Sequence, residues 1–156
     1  MADRNLFING ELVPAEDGKE FPALDPSTGE TIASVAQAGK ADAEKAIAAA
    51  RAAFDDGRWN GLPPAKRAAI LNAVAAGLKE RSAELAELES RDSGGTIRKT
   101  KGDVSGAGFT FRTNAELATT VPLTETLPVT TMPPSLNYVR REPIGVCGQI
   151  IPWNFP

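Results

Sequence analysis

The sequence has no histidine and a single cysteine, Cys147. Without imidazole the chain holds no His general base, no Ser–His or Cys–His nucleophile pair and no ordinary His-ligated metal site. A lone thiol makes neither an internal disulfide nor a Cys-rich zinc site, and it is consistent with reducing surroundings. Excess charge is scarce too. There are 17 Lys and Arg against 20 Asp and Glu, a net of -3, and the basic residues are scattered. That leaves no footprint for nucleic acid and no polybasic membrane patch. Long apolar runs are missing. The longest uncharged apolar stretch, Ile144 to Pro156, is too short to span a bilayer and contains Gln149. The opening MADRNLFING has no apolar core for a signal peptide or anchor. A cytoplasmic protein without a membrane or nucleic-acid partner is expected.

What is present suits one folded domain: 156 residues, 42% of them apolar. Leu6–Ile8 and Glu11–Val13 flank Asn9-Gly10, a strong hairpin signal because both turn residues tolerate positive φ. Asp25-Pro26-Ser27-Thr28-Gly29 is a second turn, and Thr31–Val35 reads as a strand after it. Ala43–Phe54 reads as an amphipathic helix with Ile47, Ala50 and Phe54 on one stripe, Asp42 as cap and Gly57 as stop. Pro63-Pro64 opens a second helix that buries Ile70, Leu71, Val74 and Leu78 and keeps Lys66, Arg67, Lys79 and Arg81 wet. Ser82 caps a short continuation, which Ser93-Gly94-Gly95 breaks. A third helix is expected from about Arg98 to Ala118, with the stripe Val104, Gly108, Phe111, Ala115 and Ala118 small enough for close packing. Thr124–Val129 and Leu136–Glu142 read as a hairpin joined by Met132-Pro133-Pro134-Ser135, and Pro128 makes its first strand an edge strand.

The end of the chain carries the densest chemistry. Val146–Ile151, apolar apart from Gln149, suits a strand buried on both faces, which needs a neighbour on each side. Only one neighbour follows from the pattern, so further polypeptide is expected. Pro152 ends the strand and Pro156 holds Phe155 extended. Trp153 and Asn154 therefore sit on a stiff turn at a strand's carboxyl end, where open α/β sheets collect ligands. A rigid Asn amide there can donate to a carbonyl oxygen becoming an alkoxide. The plainer alternative is a strand exit whose Trp packs and whose Asn bonds nearby backbone. Cys147, in mid-strand without a cation beside it, reads as a small core residue and not a nucleophile. Ser105-Gly106-Ala107-Gly108 fails as a phosphate loop, since Phe111 holds the third glycine position and no strand precedes it. Arg140-Arg141-Glu142 reads as a solvated edge or an interfacial ion pair, and Glu84, Glu87, Glu89 and Asp92 as a wet helix face.

Pro143-Ile144-Gly145-Val146-Cys147-Gly148-Gln149-Ile150-Ile151-Pro152-Trp153-Asn154-Phe155-Pro156 resembles the strand and turn of NAD(P)-dependent aldehyde dehydrogenases. Phe7-Ile8-Asn9-Gly10, Asp25 to Glu30, and Phe54 to Leu71 with Trp59 and Arg67 resemble that family's amino-terminal region in order and spacing. The resemblance covers essentially the whole chain. It implies an α/β fold: residues 1–121 as the amino-terminal part of a doubly wound cofactor-binding domain, 122–142 as an oligomerisation hairpin, and 143–156 as the first strand and turn toward the active site. Taken alone, the chain is expected to be α+β, mostly helical with hairpins. The resemblance further implies oxidation of an aldehyde to a carboxylic acid with NAD or NADP, through a cysteine thiohemiacetal. Asn154 matches the oxyanion donor; Ile150, Ile151, Pro152, Trp153 and Asn154 match the cofactor wall. Cys147 does not match the nucleophile. Family members are much longer, and the nucleophile and base lie beyond the position of Pro156. The 156 residues alone are thus expected to be inactive, and a homo-oligomer is expected through residues 124–142. The alternative is a non-catalytic short form acting as an assembly module.

Overall fold

The computed structural model describes residues 2–128 and 135–152. Three short strands open the chain: β1 (Ala2–Arg4), β2 (Leu6–Ile8) and β3 (Glu11–Val13). β2 and β3 form the expected hairpin, with Leu6 opposite Val13 and Asn9 and Gly10 at φ 54° and 88°. Two positive φ values at the turn match the right-handed twist of the strands. β4 (Glu20–Leu24) and β5 (Thr31–Ala36) are joined through the Asp25–Gly29 turn. There the Asp25 carboxylate accepts from the Ser27 amide at 2.9 Å, and Gly29 takes φ 74°. β5 is central in a three-stranded sheet, antiparallel to β4 and parallel to β1. Neither β1 nor β4 was legible beforehand. β1 is too short for a pattern, and β4 contains Pro22, tolerated because β4 is an edge.

Helix α1 (Lys40–Asp55) starts earlier than expected. Gly39 is the cap residue, and Asp42 lies inside the first turn, where its carboxylate accepts from the Gly39 amide at 2.9 Å and the Glu16 amide at 3.1 Å. Reaching back for two loop donors, it lets the helix begin upstream of itself. Ile47 and Ala50 remain exposed; Ala49, Ala53 and Phe54 are the half-buried side. α2 (Pro64–Glu80) begins at Pro64, whose missing N–H costs nothing in a first turn. Its buried line is Ala68 and Ala75, flanked by half-buried Leu71 and Leu78, while Ile70 and Val74 stay partly exposed. Arg67 is not on the wet side: its guanidinium folds back to donate to the Leu62 carbonyl at 2.5 Å.

α3 (Ser82–Ser93) follows with Arg81 as its cap residue, so Ser82 is the first helical residue and not the cap. Gly94, at φ 72°, ends it; a Cβ there would sit 2.8 Å from Pro26 Cγ. α4 (Ile97–Thr120) is capped by the Thr96 hydroxyl, which accepts from the Lys99 amide at 3.4 Å. It runs back along α3 and then α2, burying Thr100, Gly108 and Ala115. A Cβ on Gly108 would lie 3.9 Å from the Ala75 carbonyl oxygen, so the small stripe does permit close helix approach. The core is built mostly from alanines, including Ala33, Ala36, Ala86 and Ala115.

β6 (Thr124–Thr126) and β7 (Tyr138–Arg140) pair antiparallel as the second hairpin, shorter than the β-prone runs. Pro128 is exposed and outside the ladder; residues 129–134, with the Met132-Pro133-Pro134 connection, lie outside the described residues. The content is α+β, helix-rich with short hairpins, as expected. Val146–Ile151 is the main departure: it forms no strand, and Ile144, Ile150 and Ile151 are 92%, 98% and 65% exposed. Among the described residues no strand lies beside it, and an extended backbone without a ladder partner gains nothing over hydration.

Candidate functional site

The stretch that leads to the candidate turn leaves the β6–β7 hairpin and passes near α1. Gly145, at φ 112°, brings its backbone to α1: a Cβ there would meet Arg51 Nη1 at 3.8 Å. Arg51 is fixed by two groups. Its guanidinium lies 4.6 Å from the Phe54 ring centroid, and its Nε donates to the Asp55 carboxylate at 2.9 Å. The Asp55 bond holds the guanidinium above its ordinary pKa, so Arg51 is a fixed cation beside the segment.

Of the predicted site residues, Ile150, Ile151 and Pro152 are described and all are exposed. They form an uncharged surface ending in a residue that has no amide donor. Trp153 and Asn154, the cofactor and oxyanion candidates, lie outside the described residues. Cys147 is exposed, not a core residue, with its thiol 3.8 Å from the Gly145 carbonyl oxygen. Its expected burial fails for the same reason as the strand. Ser105–Gly108 lies within α4, so no phosphate loop exists there; Gly108 serves helix packing, while Gly106 is exposed with nothing beside it. Arg140 pairs with Glu142 and Arg141 with Glu125 on the exposed hairpin, as the edge reading required. Glu84, Glu87 and Asp92 are exposed and Glu89 half-buried; Arg81 binds Glu84 at 2.7 Å and draws its carboxyl below the ordinary range. Among the described residues no cluster of three metal-ligating side chains occurs.

Two larger cavities lie elsewhere. One of about 710 Å³ separates the β1–β5–β4 sheet from α3 and α4. The other, about 860 Å³, opens between α2, α4 and the start of α3, and brings Lys79, Lys101 and Arg112 together. No linear motif marked that set. Its only signal was the helical spacing of Lys101, Ser105, Gly108 and Arg112, which places them on one side of α4.

The pattern of the aldehyde dehydrogenase family matches residues 12–156. An aldehyde dehydrogenase of Alternaria alternata is 46% identical over 153 residues, 97% of this chain and 30% of that protein. Betaine aldehyde dehydrogenase of Bacillus subtilis (strain 168) is 41% identical over 153 residues, 98% of this chain and 31% of that protein. In structure, the NAD+ complex of an aldehyde dehydrogenase from Bacillus cereus is similar with a TM-score of 0.91 at 38% identity, over 99% of this chain and 31% of that one. The chain spans about 30% of the length of these curated relatives. With one pattern running from Leu12 to Pro156, and aldehyde dehydrogenases as its structural neighbours, the chain belongs to the aldehyde dehydrogenase family.

Proposed function

We propose that this chain is the amino-terminal portion of an NAD(P)-dependent aldehyde dehydrogenase, contributing one hydrogen-bond donor and one wall of a site completed by further polypeptide. The observation that supports it is the family match over residues 12–156, which takes in Pro152-Trp153-Asn154-Phe155-Pro156. In this reading a cysteine thiolate outside these residues attacks the aldehyde carbon. As the carbonyl oxygen gains charge, the Asn154 amide donates to it. Two prolines bracket that turn, so the donor is held in place before reaction and little reorganisation accompanies the transition state. Ile150, Ile151, Pro152, Trp153 and Asn154 line the nicotinamide side. The uncharged, exposed surface of Ile150 and Ile151 fits that role, since a flat ring is held by contact area and water is kept out. Bound NAD(P)+ supplies the hydride acceptor. The thioester left on the cysteine is hydrolysed to the carboxylic acid with a glutamate base, also outside these residues.

The test is kinetic. In the complete enzyme, Asn154→Ala should lower kcat by about 10²–10³-fold with KM for the cofactor little changed. An unchanged kcat would overturn the assignment. The 156-residue chain alone should form no NADH from acetaldehyde or a bulky aldehyde above a buffer control, because the nucleophile is missing.

A second reading rests on the β6–β7 hairpin, whose strand residues are all exposed, with Leu136 77% and Tyr138 55% exposed nearby. Open strand edges add strands from other chains, which favours homo-oligomer assembly through residues 124–142. Sedimentation that shows a monomer at every concentration would exclude it.

A further inference from the structure

The two cavities along α4 differ in charge. The sheet-facing one mixes signs, with Arg4 and Arg91 among Glu89, Asp92 and Asp103. The α2–α4 groove is lined by three cations, Lys79, Lys101 and Arg112, and by no carboxylate. Among the described residues none of the three is in an ion pair. This occurs on a chain whose net charge is -3, so the groove is a local inversion of the overall field.

The geometry converges. Arg112 Nη1 lies 3.6 Å from where a Gly108 Cβ would be, so the guanidinium leans back over the floor of the groove. Helical side chains lean toward their own amino terminus. Lys79 lines the same groove from α2, where the Ala75 carbonyl faces Gly108. Lys101 stands further along α4, about 16 Å from Arg112 by helical rise before that lean is subtracted. Ser82, Ser105 and Asn72 add neutral donors to the lining. Three cations lining one groove repel one another unless an anion lies between them.

We propose that this groove binds a small polyphosphate, with Arg112 and Lys79 on one phosphate group and Lys101 on another. A planar guanidinium matches a phosphate with two parallel donors, and lysine serves as a mobile point charge. The groove volume of about 860 Å³ exceeds what one phosphate fills, which favours a chain of them. The alanine and glycine floor admits the ligand without displacing a large side chain. No groove residue belongs to the 150–154 turn, so the inference stands apart from the dehydrogenase reading.

The test is calorimetric titration of the purified protein with sodium tripolyphosphate at about 0.1 M salt, where distant surface charges are screened. Saturable binding is expected. The Lys79→Gln/Arg112→Gln double variant should weaken it by about tenfold or more. Lys66→Gln, an exposed cation of α2 outside the groove, should leave it unchanged. Ser105→Glu places a carboxylate among the cations at an exposed position and should abolish binding while far-ultraviolet circular dichroism stays unchanged. No saturable heat, an equal loss from Lys66→Gln, or undiminished binding by Ser105→Glu would each overturn the proposal. So would tighter binding of a poly-glutamate peptide than of tripolyphosphate.

Discussion

The α2–α4 pair and the Val146–Pro152 stretch are both rich in apolar and small residues, yet only the helix pair closes on a buried line of small ones. Ala75 and Ala115 are 3% and 2% exposed, while Ile150 is 98% exposed. The helices satisfy their own backbones, so a single apolar stripe finds its partner within a few tens of residues. The stretch needs a ladder on both sides before burial becomes favourable, and no strand among the described residues supplies one. The curated relatives are about three times as long as this chain.

The most disruptive way to sharpen the contrast is to place a charge in each region. Ala86 is fully buried, and Ala86→Asp should destabilise the fold by about 3 kcal/mol, since a buried carboxylate without a partner is costly. Ile150→Asp should change stability by less than about 0.5 kcal/mol. Urea unfolding of both variants decides it, and a comparable loss at Ile150 would break the comparison. Backbone strain gives the next test. Gly94 and Gly145 both hold positive φ, but only at Gly94 would an added Cβ be crowded, 2.8 Å from Pro26 Cγ. Gly94→Ala should cost about 2 kcal/mol. Gly145→Ala should cost far less, because its segment can relax, and thermal melts report the difference.

A smaller effect attaches to Asp42, whose carboxylate ties the start of α1 to Glu16. Asp42→Ala should lose about 1 kcal/mol, and hydrogen exchange at the Gly39 and Glu16 amides should rise. The smallest concerns pH. The Asp25 carboxyl is held below its ordinary pKa, first by the Ser27 hydroxyl and then by the Ser27 amide. A depressed folded value means its stabilisation is present above the unfolded pKa and is lost as pH falls through the folded one. Ser27→Ala should raise the Asp25 pKa toward its usual value in a carboxyl NMR titration; no movement would remove the hydroxyl from the account.

Turns and helices were legible because their causes are local. Asn9-Gly10, Asp25–Gly29, Pro63-Pro64 and Gly94 each act within a few residues, and each marks the boundary it was expected to mark. Errors arose where a distant group competed. Asp42 left the cap position because Glu16 and Gly39 both needed its carboxylate. Arg67 left the wet face because the Leu62 carbonyl needed a donor. Ile70 and Val74 fell outside the buried line because α4 packs on the Ala68–Ala75 side. In the candidate site, residues 150–154 carried a chemical reading, of which Trp153 and Asn154 lie outside the described residues, whereas the cation groove went unread, since its members come from two helices.

By itself the sequence determined the hairpin at Asn9-Gly10, the helical stretches and membership of the aldehyde dehydrogenase family, through backbone preferences and a dense run of residues that needs no folded partner to be recognised. Only the tertiary structure decided which helix faces close on one another, that β5 pairs with both β1 and β4, that Lys79, Lys101 and Arg112 share one groove, and that Ile150 faces water. Those outcomes depend on which segments arrive beside each other, and pairing energy across the chain is not written into any one segment.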